Sequence, residues 1–294
     1  MEHFKSISAL HRFKGYPPPE NPLLSVINCK RICAKVGTEY VGDFYTIGFK
    51  KIKAGEILYG RTKYDHEEGS MFFIKPRQAV HMGQLELEED GFVLHIHEDF
   101  FFGHHLHDTI KDYGFFDYEI NEALHLSPKE EGIIWDLYTK IECEYHNNQD
   151  RYSRDILLSH IDSILKYSLR FYKRQFINRT ELGGRMVTRF NDELREYFDK
   201  GEAKELGLPS VYAIAERLCV SPRYLSDLLK EEIGMTAMEL IHLFLITEAK
   251  HLIKTGDRSI AEIAYALGFE NPPYFFRLFK KTVGLTPSQF KKQI

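Results

Sequence analysis

IAERLCVSPRYLSDLLKEEIGMTA, Ile214 to Ala237, and IAYALGFENPPYFFRLFKKTVGLTP, Ile263 to Pro287, are one pattern written twice. Ile214, Ala215 and Leu218 match Ile263, Ala264 and Leu267 at an offset of 49. Leu225, Leu229, Lys230, Gly234 and Thr236 match Phe275, Phe279, Lys280, Gly284 and Thr286 at an offset of 50, so the second turn holds one more residue. Each copy reads as a short helix, a tight break and a second helix, the layout of a helix-turn-helix. Ser210 and Ser259 are positioned to cap the first helices by accepting a bond from an orphan N–H. Ser221-Pro222 and Asn271-Pro272 mark the start of the second helices with a cap and a proline. Gly268 supplies the freedom the second turn needs. Apolar residues recur at i, i+3, i+4 in each first helix, and Leu225/Leu228/Leu229 and Phe275/Leu278/Phe279 form the inner faces of the second helices.

Working outward, Glu239 to Gly256 (ELIHLFLITEAKHLIKTG) reads as one helix between the copies, apolar nearly all round and therefore buried between them. Leu240, Leu243, Phe244, Leu252 and Ile253 are its apolar positions, widened by Leu245 and Ile246. About 16 residues at 1.5 Å each make a spacer of roughly 24 Å. The outer faces of the second helices carry Arg223, Ser226, Asp227 and Lys230 in the first copy, and Pro273, Tyr274, Arg277, Lys280 and Lys281 in the second. Arginine can make paired bonds to a guanine edge, and lysine attracts phosphate. Arg223 and Arg277 can equally be phosphate contacts, and Lys291 and Lys292 equally a solvated face.

Ile263 to Lys292, IAYALGFENPPYFFRLFKKTVGLTPSQFKK, with Ser259-Ile260 before it, resembles the second motif of the AraC/XylS family of bacterial transcription regulators. The resemblance covers the C-terminal ~100 residues. It implies a sequence-specific regulator that binds double-stranded DNA, with a cupin-like N-terminal barrel sensing a small-molecule effector, homodimer formation, and RNA polymerase as a further partner. In that family, exposed positions of each recognition helix contact bases, and Arg277 matches such a position. The chain departs from the pattern at Pro272-Pro273, which removes donors, and at Phe276, where a small residue is usual.

Charge sets the terms of any DNA contact. The chain of 294 residues carries a formal charge of −4, and residues 181–294 hold 16 Lys/Arg against 16 Asp/Glu. A generic polyanion binder is basic overall. The placement is uneven, however: Arg277, Lys280, Lys281, Lys291 and Lys292 lie between Asn271 and Ile294 with no acid among them. The first recognition helix sets Arg223 and Lys230 against Asp227, Glu231 and Glu232. The second motif is thus expected to supply most of the backbone attraction.

The N-terminal half has another texture. Short alternating segments (FYTIGFKKIK, EILYGRTKY, SMFFIKP, GFVLHIH) separated by glycines and Pro76 predict an antiparallel barrel or sandwich. Tyr59, Arg61, Tyr64, His66 and His81 are candidates for lining an effector pocket, against the alternative of ordinary surface and barrel-edge positions. From Ser127 the pattern turns helical: Ser127-Pro128-Lys129-Glu130 is a start signal. Ile133, Ile134, Leu137 and Ile141 form one stripe, and Ile156, Leu157, Ile161, Ile164, Leu165, Leu169 and Tyr172 a second. These helices either cover the barrel or carry a dimer contact. The expected organisation is α+β: residues 1–126 a cupin-like sensor, 127–178 a helical extension, 185–294 the double helix-turn-helix, with NRTELGG (Asn178–Gly184) as linker.

Other classes find less support. No 18-residue apolar run predicts a membrane span, and the N-terminus has no secretion signal, so a cytoplasmic protein is expected. Cys29 and Cys33 read as ordinary thiols rather than a metal or redox pair. His95, His97, His104, His105 and His107 cluster in sequence, but His95-Ile-His97 lacks the following strand pattern of a metal cupin, so no metal or other cofactor is expected. No nucleophile–base pair, phosphate loop or carboxylate pair stands out, and the chain is read as a non-enzyme. Two alternatives remain open: a regulator that needs no ligand, whose N-terminal half only dimerises, and a metal-binding cupin fused to a DNA-binding module.

Overall fold

The computed structural model describes residues 2–29, 39–54, 58–59, 62–63, 69–81, 86–119, 122–183, 186–256 and 258–293. The chain divides into two units, Met1–Gln175 and Phe176–Ile294. Strands are β1 (Glu2–Phe4), β2 (Leu24–Asn28), β3 (Glu39–Gly42), β4 (Phe44–Ala54), β5 (Leu58–Tyr59), β6 (Thr62–Lys63), β7 (Ser70–Ile74), β8 (Ala79–His81), β9 (Glu86–His97) and β10 (Leu124–His125). Helices are α1 (Ile7–Lys14), α2 (Leu106–Thr109), α3 (Pro128–Tyr145), α4 (Ser153–Gly183), α5 (Met186–Asp199), α6 (Glu202–Leu206), α7 (Val211–Arg217), α8 (Pro222–Ile233), α9 (Ala237–Thr255), α10 (Ile260–Ala266), α11 (Pro272–Val283) and α12 (Pro287–Lys292). The α+β class and the order, sheets before helices, follow the sequence reading.

The alternating segments do become strands, in sheets of order β10-β7-β4-β9-β2 and β1-β3-β8, with a β5-β6 hairpin apart. Among the described residues these ladders do not close into a barrel. β1 even runs parallel to β3, pairing Glu2 with Tyr40 and Phe4 with Gly42. Alternation specifies which side chains share a face but not which strand edges meet, so the closed barrel was beyond its reach.

The five-stranded sheet is packed on both faces. On one, Phe44 and Phe72 meet Phe4, Ile7, Leu10, Tyr40 and Val80 from α1 and the three-stranded sheet. On the other, Phe49 and Phe92 carry the single tryptophan, Trp135 of α3, with both ring centroids 5.5 Å away, and Phe92 stacks on Tyr138 at 4.2 Å. The Ser127 N–H donates to Glu130 Oε2 at 2.9 Å, as the start signal of α3 required. The buried stripe of α3 is Ile134, Tyr138, Ile141 and Tyr145; Ile133 and Leu137 are only half-buried. In α4, Leu157, Ile161, Ile164, Leu165 and Tyr172 are buried as expected, whereas Ile156 and Leu169 are exposed. The expected linker is helical as far as Gly183, because nothing in NRTEL breaks a helix before the paired glycines. Among the described residues no helix is long and apolar enough to cross a membrane.

The histidines of the run make separate contacts, apart from His104 and His105, whose ring centroids are 4.2 Å apart. His95 is buried inside the sheet layer, where its Nδ1 lies 3.0 Å from Thr46 Oγ1. His97 accepts from the Asp99 N–H at 3.3 Å, and His104 from the Leu106 N–H at 3.3 Å. Among the described residues no three His, Cys, Asp or Glu side chains are placed to hold a metal ion.

Candidate nucleic-acid interface

Within the second unit the two copies fold through the same hydrogen bonds. In the first, Leu218, Cys219 and Val220 donate to the carbonyls of Ile214, Glu216 and Ala215, each at 3.0 Å. In the second, Leu267, Gly268 and Phe269 donate to Ile263, Tyr265 and Ala264, again each at 3.0 Å. The turn residue is left-handed in both, Cys219 with φ 56° and Gly268 with φ 88°. Glu270 is where the offset changes, between Phe269 and the start of α11.

The caps act largely as the sequence implies. Ser210 Oγ accepts from the Ala213 N–H at 3.1 Å, Ser221 Oγ from Tyr224 at 3.3 Å and Ser259 Oγ from Glu262 at 3.2 Å. Asn271 differs: its side chain makes no capping bond, and α11 starts from Pro272 alone. Both second helices end on a left-handed glycine, with Gly234 and Gly284 donating to Lys230 and Lys280 carbonyls at 2.9 Å.

Helix α9 packs against α7 and α8 of the first copy and against α10, α11 and α12. Its buried residues are Ala237, Leu240, Ile241, Leu245, Ile246, Ala249 and Ile253. Leu243 is 45% exposed, contrary to the all-round burial expected, because only the stripe facing the two bundles is covered.

The inner faces of the second helices are buried as expected: Leu225, Leu228 and Leu229 in α8; Phe275, Leu278 and Phe279 in α11. Opposite them lie the candidate readers. Arg223 and Lys230 are exposed, Ser226 and Asp227 half-buried. Arg223 Nε donates to Asp227 Oδ2 at 2.9 Å, so the guanidinium and the acid on this face are tied to each other. Pro273, Tyr274, Arg277, Lys280 and Lys281 are all exposed on α11. Tyr274 Oη lies 3.3 Å from His242 Nε2 of α9. Burial, and then the charge of Lys281, hold the His242 pKa below its ordinary value. Lys291 of α12 donates to the Arg258 carbonyl at 3.3 Å, which brings a further exposed cation beside the second motif. Sequence reasoning missed His242 and Arg258, which lie outside the recognition helices that drew attention.

The effector candidates fare differently. Arg61, Tyr64 and His66 lie outside the described residues, and only the backbone of Tyr59 (β5) and His81 (β8) is described.

A helix-turn-helix domain family model matches residues 214–293, both copies and the helix between them. The second unit is an AraC/XylS-type DNA-binding domain. Two curated relatives match about a third of this chain or less. The arabinose operon regulatory protein of Escherichia coli is 33% identical over 81 residues, 28% of each chain. The bifunctional transcriptional activator/DNA repair enzyme AdaA of Bacillus subtilis is 34% identical over 101 residues, 34% of this chain and 46% of that one. The chain thus spans less than half the length of these curated relatives. Among solved structures, the C-terminal domain of AraT, a response regulator from Geobacillus stearothermophilus, is 28% identical, covering 37% of this chain and 85% of that chain at a TM-score of 0.33.

Proposed function

We propose that this protein is a sequence-specific transcription regulator, in which α8 and α11 enter the major groove of one DNA duplex. The observation that carries the reading is the duplicated turn: two AraC/XylS-type motifs with the same hydrogen bonds, both packed on α9. At 1.5 Å per residue the 19 residues of α9 span about 28 Å, comparable with the ~34 Å repeat of the groove. Arg277 is the principal base reader, since it is exposed on α11 and its guanidinium can grip a guanine edge. Lys280, Lys281 and Lys291 supply phosphate attraction. In the first copy Arg223, Ser226 and Lys230 make the contacts, and Asp227 accepts from a cytosine amino group or orients Arg223.

The N-terminal unit acts as the sensor of a small-molecule effector, and the protein works as a cytoplasmic homodimer that communicates with RNA polymerase. The exposed Ile156 and Leu169 of α4 are available for the dimer contact. Selection of bound duplexes from a random pool, with and without added metabolites, tests the reading. A defined site with two blocks about one helical turn apart is the expected result. Recovery of unrelated sequences at every salt concentration would refute it.

A further inference from the structure

One stretch of α9, Glu239 to His242, is acted on by residues of both recognition helices. On α11, Tyr274, Arg277 and Lys281 recur at i, i+3, i+7 and are exposed, so they form one outward stripe. Tyr274 Oη lies 3.3 Å from His242 Nε2, which sets the near end of that stripe against α9. Burial first, and then the charge of Lys281, lower the His242 pKa, so the far end of the stripe acts on the same ring. Towards α8, Glu239 stands one turn before His242. The Thr236 N–H and hydroxyl hold its carboxyl below the ordinary range, and Lys230 and His242 add to the effect. Lys230, Tyr274 and Lys281 all belong to the proposed reading surface, whereas Glu239 and His242 belong to neither recognition helix.

The ring is half-buried, and among the described residues the charges acting on it are those of Lys281 and Glu239, with Lys281 the stronger. An imidazole whose pKa lies below about 6.5 is neutral at pH 7, so the free protein holds His242 uncharged. With Nε2 unprotonated, the neutral ring accepts a hydrogen bond from the Tyr274 hydroxyl. The imidazolium reverses that bond: Nε2–H donates to Oη, and the hydroxyl proton turns outward to an acceptor beyond the protein. Burial and Lys281 make the cationic ring costly until an anion arrives. The phosphate oxygens of a duplex lying on Lys230, Arg277 and Lys281 supply such an anion.

We propose that His242 of α9 is a third point of contact with the duplex, where its imidazolium and the Tyr274 hydroxyl together receive a phosphate of the backbone between the two groove segments. This rests on reading α8 and α11 as the helices that enter those segments. Binding then takes up a proton. Because the phosphate raises the pKa of His242 in the complex, affinity rises as pH falls through that higher value and levels off below the free-protein value. Each unit between the two values is worth up to about tenfold in affinity. His251, the other histidine of the second unit, is exposed nine residues further on, half a revolution round α9, and serves as the control.

The test is an anisotropy titration of the selected duplex with the full chain at pH 8 and pH 6, at several salt concentrations. The wild type is expected to bind about five- to tenfold more tightly at pH 6, with the slope of log K against log salt steeper there by up to about 0.9. His242→Gln should match the wild type at pH 8 within about twofold and gain nothing at pH 6. His242→Lys, a fixed cation, should bind at pH 8 as the wild type does at pH 6, and His251→Gln should keep the wild-type profile. Tyr274→Phe should weaken binding more at pH 6 than at pH 8. A wild type with equal affinity at the two pH values overturns the proposal whether or not any variant folds. So does a His242→Gln protein that keeps the pH dependence, or a His242→Lys protein no tighter than the wild type at pH 8. Equal weakening by Tyr274→Phe at both pH values overturns the coupling of the hydroxyl to the ring. A protein that selects no duplex at either pH refutes the regulator reading itself, whereas one that selects a duplex without pH dependence loses only the role of His242.

Discussion

Replacing Gly268 by alanine should destabilise the second unit by about 2–4 kcal/mol. Two costs add. At φ 88° a side chain is forced into the left-handed region, at roughly 1–2 kcal/mol. A Cβ built there comes within 2.7 Å of the carbonyl carbon and oxygen of Gly207 and 2.9 Å of the Ala203 carbonyl oxygen. These are backbone atoms that cannot rotate away, and overpacking of that kind costs about 1–3 kcal/mol. The reduced freedom of the unfolded alanine chain returns about 0.4–1 kcal/mol. The equivalent turn provides the control. Cys219 already occupies the left-handed conformation at φ 56° and is exposed, so Cys219→Ala should change stability by less than about 0.5 kcal/mol. Urea unfolding followed by circular dichroism at the helical band is the appropriate assay, because the only tryptophan lies in the first unit. If Gly268→Ala proves as mild as Cys219→Ala, the close approach to Gly207 does not constrain the domain and the reasoning fails.

Arg277→Ala should cost about 1–3 kcal/mol on the selected duplex and relax preference at one base pair; unchanged affinity would remove Arg277 as a reader. Lys280→Ala should weaken all duplexes alike and reduce the slope of log K against log salt by about 0.9, measured by anisotropy titrations at several salt concentrations. Asp227→Asn removes an acid and its ion pair with Arg223, so binding to random-sequence DNA should tighten and grow steeper in salt; no change would mean this face does not approach phosphate. Stability of the first unit should fall on acidification. His95 binds a proton near pH 6.5 when unfolded but only near pH 3 when folded, so the unfolded chain takes up protons first. This group alone removes about 2 kcal/mol between pH 7 and pH 5, and His95→Gln should flatten that part of the profile in Trp135-monitored unfolding.

The C-terminal domain was legible because its signals are local. A cap, a proline, a left-handed turn and an i, i+3, i+4 stripe each involve residues within one or two turns of helix, and the repeat states them twice. The misreadings there were of degree. Leu243 counts as apolar in any tally of α9, yet which stripe is covered depends on where the two bundles sit. The N-terminal half was legible as strands and opaque as a sheet order, because pairing joins residues far apart in sequence, such as Glu2 with Tyr40. The burial of Lys50, which is 7% exposed, could have been found. In FYTIGFKKIK, Lys50 continues the Phe44, Thr46, Gly48 face and Lys51 the Tyr45, Ile47, Phe49 face. What alternation alone does not reveal is that both faces are covered, so that a lysine must lie inside whichever phase is chosen.

The two copies share a fold but not a charge, and in the proposed complex the spacing of the groove segments they meet makes that difference count. At physiological salt the field of an exposed charge decays over about 8 Å, well short of the ~34 Å between successive groove segments. Bases on the second motif therefore cannot offset acids on the first, and the 16 to 16 balance across residues 181–294 is not the quantity the duplex meets. Under the proposed reading, α11 meets the phosphates with Arg277, Lys280 and Lys281 and no acid on its own helix, while α8 brings Arg223 already bonded to Asp227, followed by Glu231 and Glu232. The second motif must then hold the DNA, and the first can engage only where the base pairs before it repay the repulsion. Such an arrangement trades affinity for discrimination at the first half-site. A protein whose first motif contributed most of the salt-dependent binding would contradict it.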